Sequence, residues 1–332
     1  MNVLFVNMKV LQLTTNYPCK ENPIYGIFMK EQADSLEPLG VENTIFFSNG
    51  LKSRLKVKNS GMFIHLWSAL KLFVHLRRHR YDVIHCHNVH SGLILQVACG
   101  FRKGRTILSL QIDPETPGSN DNKYFEKLYK KFDALIVKKP LARQREKVTY
   151  LPNGVNTELF KPMDSRECKT KLGLDPEKHY ILFVDSNTTK ARTQKRRDRY
   201  DHVMEILREK YGHDNLEPLI MTKTQRADVP TWMNACDMYL LTSDEEGSPN
   251  AVKECMACNV PVVSTPVGNV PDLFEGVTSC KMSQSFDEEE LAALANEVLS
   301  TPRPTDLRDS IFAKELDIDS VARRLLALYQ NR

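Results

Sequence analysis

Short apolar runs alternate with longer stretches of helical spacing along the whole chain, the alternation that parallel sheets built from strand–helix–strand units require. In the first half, residues 10–14, 44–47, 82–86, 106–110, 134–137 and 148–151 read as strands; in the second, residues 180–184, 218–221, 238–241 and 261–264 do. Between the halves, Leu151-Pro-Asn-Gly-Val-Asn-Thr-Glu-Leu-Phe-Lys-Pro162 carries the proline, asparagine and glycine punctuation of a linker. The pattern predicts an α/β chain of two doubly wound, Rossmann-like domains, residues 1–158 and 159–318. Ligands in such sheets bind at the carboxyl ends of the strands, and two facing domains would enclose a cleft. The segment 319–329 has the spacing of an amphipathic helix with Asp319 as its N-cap, and residues 319–332 are expected to pack back on the N-terminal domain.

Composition narrows the class. A chain of 332 residues can hold two ordinary α/β cores, and 41% hydrophobic with 27% charged residues is the profile of a soluble globular protein. The formal charge of +4 is too small to imply nucleic acid. Eight cysteines without a paired framework indicate a reduced, intracellular protein. Cys255-Met-Ala-Cys258 is a C-x-x-C, but it lies in an apolar helical stretch with no second ligand pair nearby, so it reads as packing. Met1-Asn-Val-Leu-Phe-Val-Asn7 has neither a basic start nor a small-residue cleavage site, so no signal peptide is expected, and Met8 would serve equally as a start. The longest uncharged run, 83–101, contains His85, His87, Asn88, His90, Ser91 and Gln96, which excludes a membrane span.

The stretch richest in chemistry is Ser243-Asp-Glu-Glu-Gly-Ser-Pro-Asn-Ala-Val-Lys-Glu254. It follows a strand and opens a helix, with Ser248 as the expected N-cap and Pro249 at the first helical position. Free N–H groups and the dipole at such a start suit a diphosphate. Glu246 lies on the approach loop, and Glu254 stands roughly 9 Å along the axis from the cap. A nucleotide can therefore rest its phosphates on the helix start and its ribose beside Glu254, whose carboxylate accepts from both vicinal hydroxyls. Spacing alone also fits two solvated helix-start charges.

The same residues carry a resemblance. Glu246-Gly-Ser-Pro-Asn-Ala-Val-Lys-Glu254, with Asn259-Val-Pro-Val-Val-Ser-Thr-Pro-Val-Gly268 after it and Val229-Pro-Thr-Trp-Met-Asn-Ala-Cys-Asp237 before it, resembles the E-x7-E signature of the family-4 type retaining glycosyltransferases of GT-B fold. The linker Pro152-Asn-Gly-Val-Asn156 with Phe160, the N-terminal Tyr17-Pro18, Gly26, Phe28 and Glu31-Gln32, and Tyr81-Asp-Val-Ile-His-Cys-His87 resemble further family segments.

The resemblance implies a retaining transfer of a sugar from a nucleotide diphosphate sugar to a glycan or lipid-linked acceptor, without a metal and without a cofactor. Glu246 would contact the transferred sugar near its reacting carbon, Glu254 the ribose, and the backbone of Gly247, Ser248, Pro249 and Asn250 the diphosphate. Gly26 would line the donor side, and His87 would face the sugar from the N-terminal domain. His85 is expected to point the other way. The family's phosphate-binding cations would fall on Arg192 and Lys195, within Lys190-Ala-Arg-Thr-Gln-Lys-Arg-Arg-Asp-Arg199, with Arg196, Arg197 and Arg199 open as alternatives.

Two segments depart from the pattern: Gln111-Ile-Asp113 stands where the family places a histidine-glycine step, and the stretch between Val137 and Val148 is shorter than usual. That keeps open a transferase-like binding protein with little activity, and a GT-B nucleotide-sugar epimerase is a further alternative. Asp317-Ile-Asp319 imitates the metal-binding D-x-D of another transferase class but reads as helix capping. A nucleic-acid partner is not expected, because the basic patches lack interleaved aromatic platforms.

Charge distribution adds an expectation about location. No acidic residue lies between Glu42 and Asp82, while Lys52, Arg54, Lys56, Lys58, Lys71, Arg77, Arg78 and Arg80 do, interleaved with Phe63, Leu66, Trp67, Leu70, Phe73 and Val74. A cytoplasmic protein that attaches peripherally to an anionic membrane surface would have this character, each cation contributing about 1 kcal/mol. The apolar stripe itself is expected to be the helix face packed on the N-terminal sheet.

Overall fold

The computed structural model describes residues 7–19, 24–48, 61–98, 104–112, 114–116, 119–185 and 194–331. They form two compact units: Met1–Gly154 with Ile318–Arg332, and Val155–Asp317. The division falls at Gly154/Val155, four residues before the 158/159 boundary read from sequence. The reason is local: Val155 N–H donates to Leu316 O at 2.9 Å, and Phe160 is fully buried in the core of the C-terminal unit.

The N-terminal unit holds a six-stranded sheet of order β2-β1-β3-β4-β5-β6. Its strands are β1 Met8–Thr14, β2 Val41–Phe47, β3 Val83–Cys86, β4 Arg105–Ser109, β5 Ala134–Val137 and β6 Val148–Tyr150. The C-terminal unit holds a five-stranded sheet of order β11-β10-β9-β7-β8. Its strands are β7 His179–Val184, β8 Leu216–Met221, β9 Met238–Leu241, β10 Val262–Ser264 and β11 Lys281–Met282. All described pairings are parallel. Each unit is thus a doubly wound α/β sheet.

Strand periodicity explains the layering. On β7, Tyr180 and Leu182 enter one core and Ile181 and Phe183 the other; on β9, Tyr239 and Leu241 separate in the same way from Met238 and Leu240. Both faces are covered, so these strands are apolar throughout. In the N-terminal unit, Leu11, Leu13, Ile84 and Cys86 face one layer, and Val10 and Val83 the other. That second layer is closed by helix Ile318–Gln330 through Val321, Ala322, Leu325 and Tyr329. The helix begins at Ile318, so Asp319 lies in its first turn and is not its cap.

Strand order sets where ligands can enter. The chain leaves β1 for β2 and returns to β3 on its other side; likewise β7 is flanked by β8 and β9. The switch points therefore lie between β1 and β3 and between β7 and β9, where diverging connections leave a crevice beyond the carboxyl ends.

The stripe on helix Gly61–Arg78 is not core. The helix buries Ser68, Ala69 and Leu72, and Ser68 Oγ donates to Ser48 O at 2.9 Å. Leu66, Trp67, Leu70, Phe73 and Val74 are exposed. The expectation failed because the sheet accepts the smaller face. Among the described residues no helix is long and apolar enough to cross a membrane.

Candidate functional site

At the C-terminal switch point the loop after β9 is fixed before it reaches Glu246. Thr242 and Ser243 are fully buried. Thr242 Oγ1 donates to Lys195 O and Arg196 O at 2.9 and 3.0 Å, and Thr265 Oγ1 donates to Ser243 O at 2.7 Å. These bonds tie the connections after β7, β9 and β10 together. Asn269 N–H then donates to Gly247 O at 3.0 Å, across Gly268. Gly268 has a φ of +57°, and a Cβ there would stand 2.5 Å from Gly247 O, so glycine is required.

Glu246 sits on this fixed turn. Its Oε1 accepts from Lys195 Nζ at 2.5 Å and from Ser243 Oγ at 2.9 Å. Both members of the ion pair are about one-fifth exposed, so the pair is partly desolvated.

Helix Asn250–Ala257 follows, and here the expected cap is corrected. Pro249 is the N-cap, in extended conformation, and the helix starts at Asn250, one residue later than predicted. Ser248 Oγ instead accepts from Lys253 Nζ at 2.8 Å, and Lys253 is fully buried. A prolyl cap brings no side-chain oxygen, so the positive end of the helix dipole is not neutralised by its own cap.

Glu254, on the same helix, is buried, and its Oε1 accepts from Arg226 Nη1 at 2.7 Å. Arg226 starts the 3-10 turn Arg226–Asp228 beyond β8, with its guanidinium 4.5 Å from the Phe160 ring centroid. Sequence reasoning passed over Arg226, Ser243 and Lys253. For Arg226 the available signal was its place, a cation just past the carboxyl end of a strand beside β7.

The basic run sorts itself by partner. Lys195 reaches Glu246, whereas Arg196 pairs with Asp198 and Asp244, and Arg197 with Asp201. Arg199 is buried and donates to Thr242 O and Asp244. Arg192 lies outside the described residues. Cys255 and Cys258 are free and buried, and burial pushes the Cys258 thiol up to about 12, the opposite of a reactive thiolate.

The N-terminal switch point is of another kind. His87 is buried, its Nε2 2.7 Å from Gln12 Oε1, and its carbonyl accepts from Gln111 Nε2 at 2.7 Å. His85 does not point away from it: residues two apart on a strand share a face, and the two rings stack with centroids 4.2 Å apart. His85 has Tyr329 OH at 2.7 Å from Nδ1 and Ser109 Oγ at 2.8 Å from Nε2. Lys138, at the end of β5, is buried and donates to Leu151 O at 3.1 Å.

Burial, and then the nearby Lys138 charge, hold His87 down at about 3; burial, then His87 and Lys138, hold His85 well below its ordinary value. Burial lowers Lys138 to about 7. Gly26 has a φ of +69° at the start of helix Ile27–Asp34, where a Cβ would stand 2.5 Å from Asn16 O.

Comparisons with known proteins bear on the fold and on the C-terminal unit. Residues 197–301 match the family model described as "Glycosyl transferases group 1". The chain is similar to the lipopolysaccharide core biosynthesis mannosyltransferase LpsB of Rhizobium meliloti, 28% identical over 151 residues, or 39% of this chain and 43% of that protein. The chain thus matches less than half the length of that relative. It is also similar to the Escherichia coli UDP-Gal:alpha-D-GlcNAc-diphosphoundecaprenol alpha-1,3-galactosyltransferase, 23% identical over 270 residues, 69% of this chain and 67% of that one. Among solved structures, Anabaena HepE in complex with UDP and glucose superposes with a TM-score of 0.70 at 15% identity, covering 98% of this chain and 100% of HepE. At that identity the likeness establishes the fold, and the sequence match falls on the unit that carries Glu246 and Glu254.

Proposed function

We propose that this chain is a retaining hexosyltransferase, independent of metal, that moves a sugar from a nucleotide diphosphate sugar to a glycan or lipid-linked acceptor in cytoplasmic polysaccharide biosynthesis. One observation carries the reading. Two carboxylates eight residues apart flank a helix start at the switch point, each held by its own cation: Glu246 by Lys195 and Glu254 by Arg226. A structural pair needs only one anion and one cation. Two such pairs around an uncapped helix dipole make a place where an anionic ligand can exchange with a carboxylate for the cations.

In this reading the diphosphate takes the amides of Gly247, Ser248 and Asn250 beside Pro249, and Lys195 with Arg192 stabilises the charge that grows on the leaving group. Glu254 accepts from the ribose hydroxyls. Glu246 faces the transferred sugar, placed there by Ser243 and Lys195. Gly26 and His87 are proposed to serve the same reaction from the N-terminal sheet. No cofactor and no nucleic acid take part. Retention at the anomeric carbon rests on the family-4 resemblance.

A transferase-like binding protein is the second reading, favoured by the burial of His87 against Gln12. Calorimetric titration with UDP, GDP and ADP, in buffer and in excess chelator, tests the donor site. Binding of a nucleoside diphosphate unchanged by chelator is expected; binding that vanishes in chelator and returns with Mg²⁺ contradicts the metal-independent site.

A further inference from the structure

Helix Gly61–Arg78 is amphipathic in the wrong sense for a purely aqueous surface. Its inward face carries Ser68, Ala69 and Leu72, with His75 Nε2 2.7 Å from Tyr81 OH. Its outward face carries Leu66, Trp67, Leu70, Phe73 and Val74, each between 40% and 54% exposed. Five of the nine large hydrophobic side chains exposed among the described residues are therefore on this one helix. The other four, Val97, Met163, Phe286 and Phe312, lie singly on separate segments. Scattered apolar residues are ordinary on a surface, whereas a contiguous stripe marks contact with something apolar.

The charges say what that something is. At about 100° per residue the stripe and the exposed Lys71, Arg77 and Arg78 fall within one sector of roughly 160°. Lys71 Nζ is 5.5 Å from the Trp67 ring centroid, and Arg77 Cζ is 5.2 Å from that of Phe73. Exposed His79 and Arg80 follow the helix directly. No acidic residue occurs anywhere from 43 to 81.

A second copy seated on this stripe by a two-fold axis would set these cations against their own images with no carboxylate to answer them. A layered partner, apolar inside and anionic at its edge, satisfies both kinds of group at once. That is the cross-section of an anionic lipid leaflet, with Trp67 at headgroup depth and the cations at the phosphates.

We propose that this helix face docks the protein on an anionic bilayer, lying in the interface and not crossing it. The proposal is independent of the donor site, since it draws only on the N-terminal unit and its readout is lipid binding.

The test is co-sedimentation of the full chain with vesicles of phosphatidylcholine alone or with ~30 mol% phosphatidylglycerol, at ~20 and ~500 mM NaCl. Partition to the anionic vesicles should exceed that to the neutral ones by about tenfold and fall steeply at high salt. Trp67→Ser with Leu70→Ser should lower it by about tenfold while melting and transfer to a water-soluble acceptor stay unchanged. Both replaced side chains are exposed, so folding is retained. Lys71→Gln with Arg77→Gln and Arg78→Gln should erase the preference for anionic lipid.

Equal partition to both vesicles overturns the proposal, as does wild-type binding by the Trp67→Ser/Leu70→Ser variant. So does self-association that this variant abolishes, without vesicle binding. That last result would hand the stripe to a second copy.

Discussion

The carboxyl ends of the two sheets solve the same problem in opposite ways. At the C-terminal switch point, polar side chains meet as ion pairs: Lys195 with Glu246, and Arg226 with Glu254. At the N-terminal one they meet as hydrogen-bonded groups in the interior, with His85, His87 and Lys138 all but inaccessible. Around Glu246 the side chains keep about one-fifth of their surface open to solvent. Around His87 burial favours the neutral form, and partners are found for both nitrogens of His85. In the proposed reading one end exchanges a charged ligand. The other is built to hold its geometry.

The largest effect should come from breaking the charged end. Glu246→Gln is expected to lower transfer by about a hundredfold or more, the scale of a lost electrostatic contact at the reacting centre. Nucleotide affinity, measured by titration, should stay close to wild type. If transfer survives at the wild-type rate, Glu246 is a structural partner of Lys195 and nothing more.

Glu254 sharpens the same comparison. Glu254→Gln keeps an oxygen for Arg226 and should weaken donor binding by roughly 1.5–3 kcal/mol through the lost charged acceptor. Glu254→Ala should also lower the melting temperature, because Arg226 is then left without its carboxylate in a largely buried position. Similar melting for the two variants would remove the pairing argument.

A smaller change, about tenfold in turnover, is expected for Lys195→Ala and for Arg192→Ala, with donor affinity altered less. Steady-state kinetics separate the two quantities. A loss confined to KM would assign these cations to ground-state binding.

The smallest effect belongs to the buried end and is read in stability. Lys138 is held at about 7 against an ordinary 10.5. Between those values the unfolded chain carries more protons, so the penalty is full below 7 and relieved as pH rises toward 10.5. His87, held near 3 against 6.5, gives the same upward slope between those lower limits. Lys138→Met should flatten the pH dependence of melting above 7 and leave the acid limb. An unchanged alkaline limb would mean that Lys138 reaches solvent.

Much of the scaffold was legible because buried parallel strands announce themselves as apolar runs between turn residues, and ten of the eleven strands among the described residues lie at positions so marked. Only β11, two residues long, left too little pattern to read. Other features were not legible for physical reasons. The cap at Pro249 depends on Lys253 claiming Ser248, a contact between neighbours that propensity does not encode. Arg226 reaches Glu254 across 28 residues of sequence. The stripe on helix Gly61–Arg78 had helical spacing, but spacing reports that a face is apolar without saying what covers it. The stacking of His85 on His87 was in the sequence all along, since a period of two puts both on one face.

The central claim is that the loop and helix from Ser243 to Ala257 form a donor site used for transfer. The most direct measurement is nucleotide release from UDP-, GDP- and ADP-sugars, with and without a lipid-linked acceptor mixture, for the wild-type chain and Glu246→Gln. Acceptor-dependent release from at least one donor, a glycosylated product of retained anomeric configuration, and loss of both in Glu246→Gln are predicted. Binding of nucleotide with no acceptor-dependent release from any donor, or conversion of the donor to an epimer without transfer, would contradict it.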